Sequence, residues 1–176
     1  LPIAIASSKS RLSLTEDADA WTMMQTAIGQ GDTMMSPLHE VLLSATIANG
    51  GTLVEPKLLE QVQSADGKVV KTFDSGAKRT LMTTEEAETL GGFMRRVVTE
   101  GTASALRKAE YEAAGKTEAV KDGKKSTTAW FTGFAPYENP EIAICVVVED
   151  GETGGRTAAP IARQVLDYWL VERSGS

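Results

Sequence analysis

The stretch Thr127-Thr128-Ala129-Trp130-Phe131-Thr132-Gly133-Phe134-Ala135-Pro136-Tyr137-Glu138-Asn139-Pro140-Glu141-Ile142-Ala143-Ile144-Cys145-Val146-Val147-Val148 decides the fold class. Residues 127–133 and 141–149 are rich in Thr, aromatic and β-branched side chains, as strands are. Between them, 135–140 carries two prolines and an Asn and reads as a tight connection. A third strand-like run, 111–117, precedes them across the charged, Gly-containing loop 121–125. Neighbours joined by links this short must be antiparallel, because a parallel pair needs a crossover of about a dozen residues or more. Residues 142–148 are apolar throughout, which predicts a central strand covered on both faces.

Outward from these strands the pattern turns helical. A final helix over about 157–173 carries Ile161, Val165, Leu166, Trp169 and Leu170 along one side, with Pro160 in its first turn, where a missing N–H costs little. Upstream, Ser36-Pro37 opens a helix: Ser36 can cap the free N–H groups and Pro37 suits the first helical position. Leu38, Val41, Leu42, Ala45 and Ala48 make one apolar stripe there, and Asn49-Gly50-Gly51 ends it. Thr83 or Thr84 caps another helix that begins with Glu85-Glu86, where the helix dipole favours carboxylates. It runs through Leu90, Phe93, Met94, Val97 and Val98, whose apolar face requires burial. Short runs at 52–54, 58–63 and 68–73 lie between these helices, the last two joined by the hairpin signal Asp66-Gly67. The segment up to about Gly31 reads as irregular. The expected architecture is α+β, an antiparallel sheet packed by helices. Residues 1–110 form a helical part with a hairpin insertion at about 52–73, and 111–173 form three strands and the C-terminal helix.

Composition narrows the function. The 176 residues are 41% apolar and 24% charged, with 18 Lys+Arg against 24 Asp+Glu and a formal net charge of −6. A nucleic-acid partner is not expected, since binding phosphates needs a basic face. A single Cys, Cys145, excludes an internal disulfide, and with one His, His39, it speaks against a Cys/His metal site. No metal or cofactor is expected. Cys145 reads as a small core residue with no basic neighbour to activate it. His39 reads as a surface residue, and no Gly-x-Ser-x-Gly elbow accompanies it to make a triad. No apolar run approaches the roughly 20 residues of a membrane-spanning helix, and no signal-peptide pattern opens the chain. The chain is therefore cytosolic or a piece of something longer.

Five segments in order suggest a family. They are Ala27-Ile28-Gly29-Gln30-Gly31 with Ser36-Pro37-Leu38, Ile47-Ala48-Asn49-Gly50-Gly51, Val97-Val98-Thr99-Glu100-Gly101-Thr102-Ala103, Ala114-Gly115-Lys116-Thr117, and Ala129-Trp130-Phe131-Thr132-Gly133-Phe134-Ala135-Pro136. Together with Ala158-Ala159-Pro160-Ile161-Ala162 they closely resemble the transpeptidase domain of class B penicillin-binding proteins over almost the whole chain. The resemblance implies a serine acyltransferase that acts on the D-alanyl-D-alanine end of peptidoglycan stem peptides and is trapped by β-lactams. In that family a Ser-x-x-Lys motif supplies nucleophile and base, a Ser-x-Asn motif assists proton transfer, and Lys-Thr/Ser-Gly on a sheet edge binds the substrate carboxylate and frames the oxyanion hole.

Two departures qualify that implication. The family places Ser-x-x-Lys and Ser-x-Asn upstream of the Gly-Gln-Gly loop, and neither stands in this sequence where the family has it. The formal match Ser75-Gly76-Ala77-Lys78 sits in a connection after a hairpin and reads as coincidence. Tyr137-Glu138-Asn139 reads as a turn. At the substrate strand the sequence is Lys116-Thr117-Glu118-Ala119, as though Gly-Thr-Ala had dropped out after Thr117. Glycine matters there because only its backbone allows close approach. Real divergence, an engineered deletion and residues omitted from the sequence leave the same trace.

By resemblance, then, Lys116 and Thr117 are the substrate-binding candidates, with Glu118 departing from the family Gly. Gln30 and Gly31 are candidates to border the cleft, and Trp130 and Phe131 to pack behind the motif strand. The chain is expected to be inactive alone and to associate with a missing N-terminal half or with itself. Its intact parent is expected at the outer face of the bacterial plasma membrane, held by an N-terminal helix. Rival readings are a non-catalytic pseudo-transpeptidase that binds stem peptide or a partner, and a β-lactam sensor domain.

Overall fold

A computed structural model of the chain describes residues 7–73, 76, 78–121 and 126–173. Its elements are α1 (Ala20–Ala27), α2 (Pro37–Ala48), β1 (Thr52–Val54), β2 (Gln61–Gln63), β3 (Val69–Thr72), β4 (Lys78–Thr80), α3 (Thr84–Thr99), β5 (Ala114–Lys121), β6 (Thr127–Ala135), β7 (Ile142–Val148) and α4 (Ala159–Asp167). A 3-10 turn at Ser104–Leu106 leads towards β5, and π-helical turns at Gly154–Ala158 and Tyr168–Glu172 flank α4. The chain is α+β, as its sequence predicts. Among the described residues no helix is long and apolar enough to cross a membrane.

Local chemistry starts the helices. Ser36 Oγ accepts the His39 N–H at 3.3 Å, with Pro37 at the first helical position of α2. Thr83 and Glu86 form a reciprocal capping box on α3. The opening segment is not irregular throughout: Asp19 Oδ1 accepts the Thr22 N–H at 2.7 Å and starts α1, which buries none of its residues.

β5, β6 and β7 form an antiparallel sheet in that order, with Lys116 opposite Thr132, Glu118 opposite Trp130, and Thr132 opposite Cys145. Alternation along the strands sorts these residues onto two faces. One face presents Ala129, Phe131 and Ala135, with Ile144, Val146 and Val148 packed alongside. Val98, Leu106 and the Ala159, Ala162 and Leu166 side of α4 close it into the core. Burying Phe131 alone is worth about 1.5–3 kcal/mol. The other face carries Lys116, Glu118, Trp130 and Thr132. There Ser44 of α2 and Thr132 share a hydrogen bond of 2.7 Å.

Several expectations need correction. β7 is an edge strand, not the central one: helices cover its faces, but among the described residues only β6 pairs with it. β5 begins at Ala114 and runs on to Lys121, where the sequence suggested 111–117. On α3 the buried residues are Ala87, Gly91 and Val98, while Leu90 and Phe93 are exposed. On α4 Ala159, Ala162 and Leu166 are buried, while Ile161, Val165 and the following Trp169 are exposed. Small side chains let helix and sheet approach closely: a Cβ on Gly91 would stand 3.6–3.7 Å from Tyr137 and Phe134. The α2 stripe is likewise redistributed, with Leu42, Ser44 and Thr46 the most buried. β1 pairs with β4, an unforeseen strand, and the exposed β2–β3 hairpin lies between them. Ser75 and Ala77 of the formal Ser-x-x-Lys match, and residues 122–125 of the charged loop, lie outside the described residues.

Candidate functional site

The polar face of the sheet is only partly covered by α2, and the uncovered end forms a cavity of about 490 Å³. Its floor is Lys116, Glu118 and Val120 of β5 with Thr128, Trp130 and Thr132 of β6. Glu40 enters from α2, and the opposite wall is the end of α1 and the turn after it, from Thr26 to Met35. That turn is built by Gly29 and Gly31, both at positive φ (82° and 79°), a conformation that favours glycine. The Gly29 N–H donates to Thr26 O at 3.0 Å and the Gln30 N–H to Gln25 O at 2.8 Å, so the turn folds back on α1.

The turn delivers the Gln30 side chain to β5, where Nε2 donates to Glu118 Oε1 at 3.1 Å. Glu118 Oε2 accepts from Lys116 Nζ at 2.9 Å, and the same ammonium donates to the Thr117 carbonyl at 2.8 Å. Burial pushes the Glu118 carboxyl up. Hydrogen bonds from Lys116, the Ala119 N–H and Gln30, with the charge of Lys116, outweigh it and hold the group below the ordinary carboxylate range. Glu40 goes the other way: burial raises it, and the nearby His39 and Lys116 only partly oppose the rise.

Lys116, Glu118, Gln30 and Gly31 are thus brought to one place. Thr117 is not with them. Its side chain lies on the opposite face, 8% exposed, and its hydroxyl bonds that of Thr102. Behind it, a Cβ on Gly154 would stand 2.2 Å from Trp130 O and 2.7 Å from Glu118 O, so only glycine lets the turn before α4 back the two strands. Trp130 and Phe131, both expected to pack behind the motif strand, part company: Phe131 enters the core and Trp130 lines the cavity. His39 is half-buried rather than a surface residue, with Nδ1 2.8 Å from Ser10 Oγ. Cys145 is half-buried. Burial, with the charge of Glu40, pushes its thiol up to about 11, so no thiolate forms at neutral pH.

Glu40, Trp130 and Thr33 are among the lining residues that sequence reasoning missed. The Thr33 hydroxyl is buried and makes no hydrogen bond among the described residues. Alternation along β6 could have placed Trp130 on the Lys116 face, but only with the β5–β6 register known. Among the described residues the lining contains no Ser, Cys or His, and no group of three or more His, Cys, Asp or Glu is placed to hold a metal. The arrangement can bind and orient a ligand through a lysine, an amide and an aromatic wall.

Comparison with known proteins identifies the family. Residues 8–167 match the family described as "Penicillin binding protein transpeptidase domain". The peptidoglycan D,D-transpeptidase MrdA of Acinetobacter baumannii is 34% identical over 162 residues, which cover 84% of this chain and 24% of that protein. The peptidoglycan D,D-transpeptidase PbpA of Mycolicibacterium smegmatis is 32% identical over 165 residues, covering 89% of this chain and 33% of that protein. The chain therefore spans about a quarter to a third of the length of these curated relatives. Among solved structures, the imipenem acyl-enzyme complex of penicillin-binding protein A from M. tuberculosis superposes with a TM-score of 0.80 at 28% identity, covering 93% of this chain and 37% of that one.

Proposed function

The chain belongs to the penicillin-binding protein transpeptidase domain family, and on that premise we propose that it is the C-terminal part of a class B transpeptidase domain. It supplies the substrate strand of a serine D,D-transpeptidase that cross-links peptidoglycan stem peptides. In that reaction a serine hydroxyl attacks the carbonyl between two D-alanines, the terminal D-alanine leaves, and the acyl group passes to an amine of a second stem peptide. One observation carries the reading: Lys116 stands on edge strand β5 over the cavity, closed on its far side by the Gly29-Gln30-Gly31 turn. The Lys116 ammonium is the charge complement of a stem peptide's terminal carboxylate. Relatives named for peptidoglycan transpeptidation, and neighbours holding β-lactam acyl-enzymes, support it. Such a protein works on the wall side of the plasma membrane, and its nucleophile comes from a Ser-x-x-Lys segment elsewhere in the parent chain.

Fluorescent penicillin tests this. The 176-residue chain should take no stoichiometric covalent label, whereas a parent chain carrying the Ser-x-x-Lys segment should label one to one. Labelling of the short chain at any of its own serines would overturn the division of labour. The Lys116–Glu118 ion pair favours a second reading, a non-catalytic binding module. An unlabelled parent chain that still binds stem peptide would select it.

A further inference from the structure

Glu118 stands where the family resemblance puts a glycine, and both of its carboxylate oxygens are engaged. Oε2 accepts from Lys116 Nζ at 2.9 Å, and Oε1 accepts from Gln30 Nε2 and the Ala119 N–H, each at 3.1 Å. A glycine would make none of these bonds. The ammonium that the functional reading assigns to a ligand's carboxylate is therefore already paired with a carboxylate of its own strand. Hydrogen bonds between ionised partners are the stronger kind, and this pair is partly sheltered, with Glu118 26% and Lys116 52% exposed. The same carboxylate also holds the cavity's turn: Gln30 is 88 positions away in sequence, and a Cβ on Gly29 would stand 3.9 Å from Glu118 Oε2.

We propose that Glu118 is an internal counter-ion that occupies the anion position beside Lys116 and fastens the Gln30 turn across the cavity. The site consequently gives a free carboxylate no advantage and takes peptide ends that are neutral, such as amidated ones, at least as well as acidic ones. This deepens the functional reading above and rests on it. An incoming carboxylate must displace a tethered one, which acts at high effective concentration, and must also approach a like charge in a partly desolvated setting.

The test is an amide-resonance titration of the 176-residue chain with N-acetyl-D-alanyl-D-alanine and with its C-terminal amide. The wild-type chain should bind the two with dissociation constants within about twofold of each other. Glu118→Gln keeps the side chain's shape and removes its charge, and should bind the acid about tenfold more tightly than the amide. Adding Lys116→Gln to that variant should abolish the preference. Glu118→Gly removes the side chain altogether and should show the same preference, which separates loss of charge from any contact made by the new amide. A wild-type chain that prefers the acid about tenfold overturns the inference and leaves the functional reading standing. So does a pair of Glu118 variants that bind both dipeptides without preference. If neither dipeptide shifts a β5 resonance in any variant, the inference and the reading beneath it both fall.

Discussion

Glu40 and Glu118 lie on the same cavity and are driven in opposite directions. Glu118 gains donors and is held ionised, while Glu40, at the fourth position of α2, is raised first by burial and only partly relieved by His39 and Lys116. A carboxyl whose folded pKa is raised keeps its proton over a range where the unfolded chain has lost it. Stability then falls as pH rises through that range and stays lower above it. Glu40→Gln should therefore be more stable than wild type at neutral pH, with the difference gone at about pH 3, where both states hold a protonated Glu40. Urea midpoints at the two pH values check this, and an unchanged or lower midpoint for the variant at neutral pH would show that burial is not the dominant influence. At this scale the sequence made Lys116 recognisable by its neighbours. It could not reveal Glu40, because nothing local to Ser36-Pro37-Leu38-His39-Glu40 says which side of α2 meets the sheet.

Elements whose ends are set by local hydrogen bonds were legible, and those set by packing were not. The sequence left Thr83 and Thr84 as alternative caps for α3. The structure selects Thr83, whose hydroxyl accepts the Glu86 N–H at 3.2 Å while Glu86 Oε2 accepts the Thr83 N–H at 2.8 Å. Thr83→Ala should lower stability by about 1 kcal/mol, and Thr84→Ala should stay within about 0.5 kcal/mol of wild type. Chemical denaturation of both variants measures the difference, and the reverse ranking would move the cap. The Asp66-Gly67 hairpin signal was equally local, with Gly67 at φ 83°. By contrast β4 has only three residues and exists because β1 offers an edge, and β7 lies at an edge although its sequence suits a central strand. Apolar residues record burial on two faces, not pairing on two sides.

At the scale of the whole chain, large apolar side chains remain exposed on several elements: Trp21 is 65% and Phe93 60% exposed, and β7 is paired on one side only among the described residues. Exposed apolar surface and unpaired strand edges drive association. Sedimentation velocity of the 176-residue chain should show apparent mass rising with concentration, together with binding of a hydrophobic dye. A dye-silent monomer at high concentration would contradict this. The sequence by itself determined the α+β class, the order of the segments, the start of α2 and the family, because each of these is written in periodicity, caps and motif order. Only the tertiary structure decided which strand is central, that Thr117 turns away while Trp130 turns in, and that Glu118 closes on Lys116 and Gln30. Those outcomes depend on strand register and on contacts between residues as far as 88 positions apart, and a one-residue change of register would reverse every face.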